Sequence, residues 1–463
     1  MTSLLLRDCE VDGQAGVDVH VVAGVVAEVG RGLQPTPGRL VVDVRAGALL
    51  PGLADHHLHL HALTAHAQSV RCGRCTDATG LARALHAAAG DPHGWVRGVG
   101  YHEGVAGDLD RDTLDALCAQ RPVRLQHRSG ALWVLNNLAA AAVGLDTATH
   151  PGVERDTAGR PTGRVWRADD WLRERLPASG PPPLSGVGAD LSRLGITAVT
   201  DASPDLTEQS VRAIAEAVQG GQLPQRVQLL GAPTGMAATE RLTVGPYKIV
   251  LADSGLPEPS ALAALVTEVH GQGRPIAAHC VSREALLILL AALEEVGARP
   301  GDRVEHAALV PVESLTELRR HGLRVITQPG FLADRGDDYL AHVDARDLPD
   351  LYRCRTLLDA GVPLALSSDA PYGPLDPWAA LAAAVTRRAE SGAVVGAAER
   401  LTPAEALAGY LGPLDDPGGP ARRVRPGVPA DLVLLHAPLA EVLAAPRADA
   451  VRMTLVGGER VFG

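Results

Sequence analysis

Residues 49–59 constrain this chain more than any other stretch. They form an apolar run that ends in His56, His57 and His59. Side chains at i and i+2 of a strand share a face. His57 and His59 can therefore aim imidazole nitrogens at one point, the geometry a metal ion needs. Pro51–Gly52 lets the chain turn sharply on its way in. A fold that uses this segment must open a polar site at the end of an apolar strand.

The middle of the chain repeats that plan. Apolar strands are predicted at residues 195–201, 227–230, 247–253, 275–279, 303–306, 325–328 and 363–369, with helices between them, as at 260–270 and 283–296. With the 49–59 strand they number eight, which predicts a (β/α)8 barrel. Polar residues close nearly every strand, among them Asp201, His279, His306, Gln328 and Asp369. In such a barrel the C-terminal strand ends carry the active site. Residues 1–48 and 420–463 have a different texture of short β-type runs and turns, which predicts one small β-domain built from both ends. Residues 49–419 are then the barrel, and residues 70–185, which break the β-α rhythm, an insertion or cap. The Pro-rich segment 180–183 closes the cap as a stiff linker.

The strand-end groups form a ligand set. His57, His59, His279, His306 and Asp369 supply the imidazoles and carboxylate that a borderline divalent metal prefers. Singly, each has a plain structural reading, as a core histidine or a helix cap. Lys248 is the odd residue, because it sits inside an apolar strand, where an unpaired ammonium is costly. Burial lowers a lysine pKa and leaves a neutral amine. Such an amine can take up CO2 to become a carbamate, an anionic ligand able to bridge two metal ions.

Other classes fit poorly. The formal charge of −11 argues against nucleic acid or an anionic membrane as partner and favours a small-molecule substrate. No apolar run is long enough to span a bilayer. The first residues lack the basic and apolar regions of a signal peptide, and six cysteines are too few for a disulfide framework. A cytoplasmic protein is expected. Cys72 and Cys75 form a lone C-x-x-C, read as an ordinary loop pair with a redox role as the alternative.

The pattern resembles the amidohydrolase superfamily, and within it the YtcJ-like branch, amidohydrolase family 3. Residues 51–59 match its P-G-hydrophobic-x-D-x-H-x-H signature, and residues 247–253 resemble the strand of its bridging lysine. Residues 276–279 and 303–307 resemble its two single-histidine strands. Residues 367–371, with Asp376–Pro377 and residues 383–387, resemble its S-D-A-P … D-P … A-V-T-R segment. Residues 98–103 and 121–136 fall where the branch has comparable runs, and residues 426–433 resemble its closing motif. The resemblance implies a composite β-sandwich from the two termini, and His57 and His59 on one ion with Asp369 beside it. It implies His279 and His306 on a second ion, and carboxylated Lys248 between them. Two zinc ions and hydrolysis of an amide-type, non-peptide C–N bond are the expectation, with Asp369 as proton shuttle. Candidate substrate contacts are Tyr101, Glu103, His127, Trp133 and Asn136 in the cap and Gln328 at a strand end. A homodimer is compatible with this reading.

The chain departs from the branch in three ways. Ala131 stands where a histidine is usual after Ser129–Gly130. Cys280–Val281–Ser282–Arg283 replaces the usual Gly–Asp pair. The chain is also shorter than typical members. Three rival readings stand beside the amide hydrolase. A mononuclear deaminase of the superfamily would need a glutamate where Ser282 lies, the nearest acid being Glu284. An esterase or lactonase would use the same metals. A catalytically silent binding relative would be expected to have lost ligands that are all present here.

Overall fold

The computed structural model describes residues 3–34, 40–177, 180–253 and 255–463; Met1–Thr2 of the N-terminal stretch lie outside them. It has two compact units, residues 1–60 with 183–463, and residues 61–182.

In the larger unit nine parallel strands form two sheets. One orders Leu53–Leu58, Ile196–Asp201, Arg226–Leu229 and Leu242–Val244 side by side. The other orders Tyr247–Val250, Ile276–Cys280, Arg303–His306, Arg324–Thr327 and Leu364–Leu366. The eight strands expected from the sequence are all present, but they do not close into one continuous ladder. Leu58 and Ala370 form a lone bridge, with His59 N donating to Ala370 O (2.9 Å) and Asp369 N to His57 O (2.8 Å). The expected 247–253 strand stops at Val250. A preceding strand, Leu242–Val244, was not anticipated and is separated from it by Gly245–Pro246. The helices Pro259–Gly271 and Arg283–Val296 fall where the apolar periodicity puts them. Each buries its apolar stripe: Leu262, Val266 and Val269 on the first, Leu286, Leu289 and Leu293 on the second.

The 49–59 segment is not one strand. Leu49–Pro51 pairs antiparallel with Leu432–Leu435, whereas Leu53–Leu58 joins the parallel sheet. Gly52 separates the two, because a Cβ there would lie 2.1 Å from the Thr197 side chain, so only glycine permits this approach. His59 lies just past the strand end.

The terminal segments form two four-stranded sheets. One is Leu40–Asp43, Ser3–Val11, Gln14–Val22 and Val25–Gly30; the other is Leu49–Pro51, Leu432–Leu435, Val451–Val456 and Glu459–Phe462. Leu6, Val19 and Val26 share one apolar cluster with Leu432, Leu434 and Met453.

The smaller unit carries a six-stranded mixed sheet, ordered Val153–Arg155, Pro161–Trp166, Leu132–Leu135, Val123–His127, Val96–Tyr101 and Val70–Arg71. Leu81, Leu114, Leu125 and Val134 anchor one of its cores. Cys72 and Cys75 are free thiols; burial pushes Cys72 up to about 12. No helix among the described residues is long and apolar enough to cross a membrane.

Candidate metal centre

Four imidazoles lie in a row at the C-terminal ends of the parallel strands. The ring centroids of His59 and His57 are 5.4 Å apart, those of His57 and His306 4.6 Å, and those of His306 and His279 4.4 Å. Asp369 reaches into the row. Its Oδ1 is 3.3 Å from His59 Nε2 and 3.5 Å from His57 Nε2, and its Oδ2 is 3.8 Å from His306 Nδ1. His57, His306 and Asp369 each offer a ligand atom within 4.8 Å of the others.

Three of the four imidazoles face inward with their other side held. His57 Nδ1 donates to Glu305 Oε2, and Arg303 Nε donates to Glu305 Oε1 (2.6 Å). His306 Nδ1 donates to Gln328 Oε1 (3.0 Å), and Gln328 Nε2 bonds Ser367 Oγ (2.9 Å), which fixes the amide's orientation. His59 Nδ1 bonds Ser203 Oγ (3.1 Å). Metal-binding imidazoles are tautomer-fixed in this way, with one nitrogen in a protein hydrogen bond and the other left as a lone-pair donor. Asp55 braces the strand ends by accepting from His57 N (3.1 Å) and Ser368 N (3.2 Å). Burial pushes its carboxyl up to about 6.

The backbone is left-handed where ligands leave their strands: φ is +68° at His306 and +53° at Asp369. Side chains alternate along a strand, so Glu305 and His306 should face opposite ways. The reversed φ at His306 ends that alternation and lets neighbouring residues serve one site. Such backbone costs about 1–3 kcal/mol per residue and persists where surrounding contacts enforce it.

Burial holds His57 and His306 well below the usual imidazole range, and His279 down to about 4, so all three imidazoles are neutral at pH 7. Burial likewise lowers Lys248. Asp369 is the reverse case. Burial would raise its carboxyl, but His306, His59 and Lys248 outweigh it and hold the group low.

Three buried polar atoms at this centre have no hydrogen-bond partner: His57 Nε2, Lys248 Nζ and Asp369 Oδ1. Orphaned buried donors and acceptors are rare and costly. His57 Nε2 and Asp369 Oδ1 border the row of imidazoles, and the buried Lys248 amine interacts with it electrostatically. That donor set fits a divalent ion.

The remaining candidates have the following partners. Gln328 is buried and committed to His306 and Ser367. Asn136 caps a short helix and is fully engaged. It accepts from Val123 N and Ala139 N (both 3.0 Å) and donates to Cys118 O (2.9 Å) and Arg121 O (2.8 Å). Tyr101 donates to Gly107 O (2.5 Å), and Trp133 donates to Asp169 (2.8 Å) between two guanidinium groups, Arg97 and Arg124. His127 stands 3.4 Å from the exposed Glu103. Ser282 caps the helix Arg283–Val296 and donates to Asp253 (2.5 Å).

Sequence reasoning missed Glu305, Arg303, Ser203 and Tyr372. The two charged residues are spaced i and i+2 inside a buried strand, a signal that was on the page. The ring of Tyr372, 55% exposed, stands 5.4 Å from that of His59; nothing but its place after Asp369 marked it.

A family model described as an amidohydrolase family matches residues 40–462. N-substituted formamide deformylase of Arthrobacter pascens is 25% identical over 458 residues, covering 85% of this chain and 84% of the relative. Putative amidohydrolase YtcJ of Bacillus subtilis (strain 168) is 23% identical over 432 residues, 81% of each. Two crystal structures of uncharacterized metal-dependent hydrolases share the fold. The one from Pyrococcus horikoshii OT3 has a TM-score of 0.77 at 20% identity, covering 99% of this chain and 100% of that one. The one from Pyrococcus furiosus has 0.75 at 21%, covering 94% and 99%.

Proposed function

Because the chain belongs to the amidohydrolase family and is a hydrolase acting on carbon–nitrogen bonds, we propose that it cleaves a non-peptide amide of a small molecule at a metal centre built on His57, His59, Lys248, His279, His306 and Asp369. The observation that carries this reading is the convergence of unpartnered buried donors on one point, with the far side of three imidazoles tied down. The two parallel sheets are read as the family's (β/α)8 barrel, with Leu242–Val244 and Tyr247–Val250 as one strand broken at Gly245–Pro246. The terminal sheets are read as its composite sandwich.

In this assignment His57, His59 and Asp369 would hold one ion, His279 and His306 would hold a second, and a carboxylated Lys248 would complete the ligand set. Zinc is the expected metal. A divalent ion in such a site polarises the substrate carbonyl and makes water acidic enough to attack at neutral pH. Asp369, kept deprotonated by its neighbours, takes the proton of the attacking water and returns it to the leaving nitrogen. The products are a carboxylic acid and an amine. A formamide deformylase among the relatives makes N-substituted formamides the first substrates to screen. Ser282 is committed to a helix cap and to Asp253, so the deaminase reading lacks its proton-shuttling acid there.

The test is metal content per chain, measured by plasma mass spectrometry on protein purified without chelator and with bicarbonate. About two divalent ions per chain, falling in Lys248→Ala, together with turnover of a formamide panel, is the expected result. One ion, unaffected by Lys248→Ala, overturns the bridged centre.

A further inference from the structure

The row of imidazoles is closed in its middle and open at its ends. His57 and His306 are buried, whereas the outer two, His59 and His279, are partly exposed. An apolar side chain stands in the open at each end. At one end the ring of Tyr372 meets that of His59 edge to face, 5.4 Å between centroids, and the residue is 55% exposed. At the other, Val250 pairs with His279 across the sheet and follows Lys248 by two residues. Both relations put the three side chains on one face, and Val250 is nonetheless 48% exposed.

Exposed rings are scarce in this chain. Among the described residues only Tyr372 and Trp166 are exposed aromatics, and Trp166, in the smaller unit, donates its indole N–H to Glu154 (2.9 Å). Apolar surface left open beside a polar centre marks a place where a ligand is covered. Tyr372 is also held in place. Its N–H donates to Asp369 O (2.9 Å), and Arg335 donates to its carbonyl (2.7 Å). Gly373 packs so closely that a Cβ there would lie 2.3 Å from Ser368 O. A fixed turn presents the ring. The nearby hydroxyls are committed, Ser203 to His59 and Ser282 to Asp253.

The position of Asp369 says which part of a substrate meets the ring. Its carboxylate lies nearest His59, at 3.3 Å, against 3.5 Å to His57 and 3.8 Å to His306. In the proposed reaction Asp369 returns the proton to the leaving nitrogen. The group carried by that nitrogen therefore lies toward His59 and its neighbour Tyr372.

We propose that Tyr372 is the specificity-determining residue for the leaving amine, and that the substrate carries an apolar group, a ring or a branched alkyl chain, on its scissile nitrogen. This rests on the amide reading above and narrows its substrate class.

The test compares metal-loaded wild type, Tyr372→Ala and Tyr372→Phe. One readout is kcat/KM for N-cyclohexylformamide and N-methylformamide. The other is isothermal titration with the matching methanesulfonamides, which resist hydrolysis. Wild type should prefer the cyclohexyl member of both pairs about tenfold or more, the usual size of an apolar contact in a pocket. Tyr372→Ala should bring both ratios near one, and Tyr372→Phe should keep them. A ring that only supports His59 would slow both formamides alike in Tyr372→Ala and leave the ratios unchanged. That result overturns the proposal, as does a wild type without preference. Turnover of neither formamide, with a sulfonamide preference that Tyr372→Ala abolishes, overturns the amide reaction but upholds Tyr372 as the apolar contact.

Discussion

Asn136, Tyr101 and Trp133 of the smaller unit and the metal-centre residues of the larger one spend their buried polar atoms in opposite ways. In the smaller unit Asn136 makes four hydrogen bonds, and Tyr101 and Trp133 each have their polar atom bonded to a close neighbour. In the larger unit His57, Lys248 and Asp369 are as deeply buried, yet each keeps an atom without a partner. Buried groups that satisfy one another hold architecture. Buried groups held with an open valence, while their other atoms are fixed, are built to meet something that arrives later. Residue type does not separate the cases; the bonding account of each atom does.

That contrast can be broken by mutation. Asp369→Asn should lower kcat about 1000-fold, the size of a lost proton transfer, while much of the metal is kept on the remaining ligands. Steady-state kinetics beside metal analysis checks it, and a kcat near wild type ends the proton-shuttle role. Asn136→Ala should act on stability instead, costing about 3 kcal/mol because it strands buried backbone groups. Urea denaturation reads that loss. A raised KM with unchanged stability would move Asn136 from architecture to substrate contact.

Glu305→Gln should weaken metal binding about 10–100-fold by slackening His57, without the loss of fold expected for Asn136. Competition with a chromophoric chelator measures it. The smallest effect compares a buried histidine of the larger unit with a half-buried one of the smaller. Burial lowers His56 to about 3 and His66 to about 4, against about 6.5 for a free imidazole. The unfolded chain therefore binds more protons below pH 6.5, and stability falls as pH drops from 6.5 toward 4. Urea midpoints at pH 7 and 5 should show that fall, and His66→Gln should reduce it. A midpoint independent of pH would contradict both assignments.

Much of this was readable in the letters, and the failures have causes. Strand type and strand order follow from apolar runs and their spacing. The ligands stand out because histidine and lysine are improbable at the ends of such runs. Glu305 escaped because strand alternation assigns it the face opposite His306, and the left-handed turn that cancels this rule is not written in any one residue. Gln328 was singled out correctly as unusual but read as a substrate contact; only the coordinates show its amide spent on His306 and Ser367. The break at Gly52 depends on how closely Thr197 approaches, a distance set by residues far along the chain.

The same break sets a schedule for synthesis. Leu49–Pro51 leaves the ribosome about 380 residues before its partner Leu432–Leu435. Leu53–Leu58, which carries His57, waits for Ile196–Asp201 on one side and for the segment after Leu366 on the other. Pairings so distant in sequence form slowly and leave strand edges open meanwhile. The candidate centre therefore comes together only after the segment that carries Asp369 has emerged. A nascent chain stalled short of residue 432 should be protease-sensitive at residues 49–51, whose pairing strand is still missing.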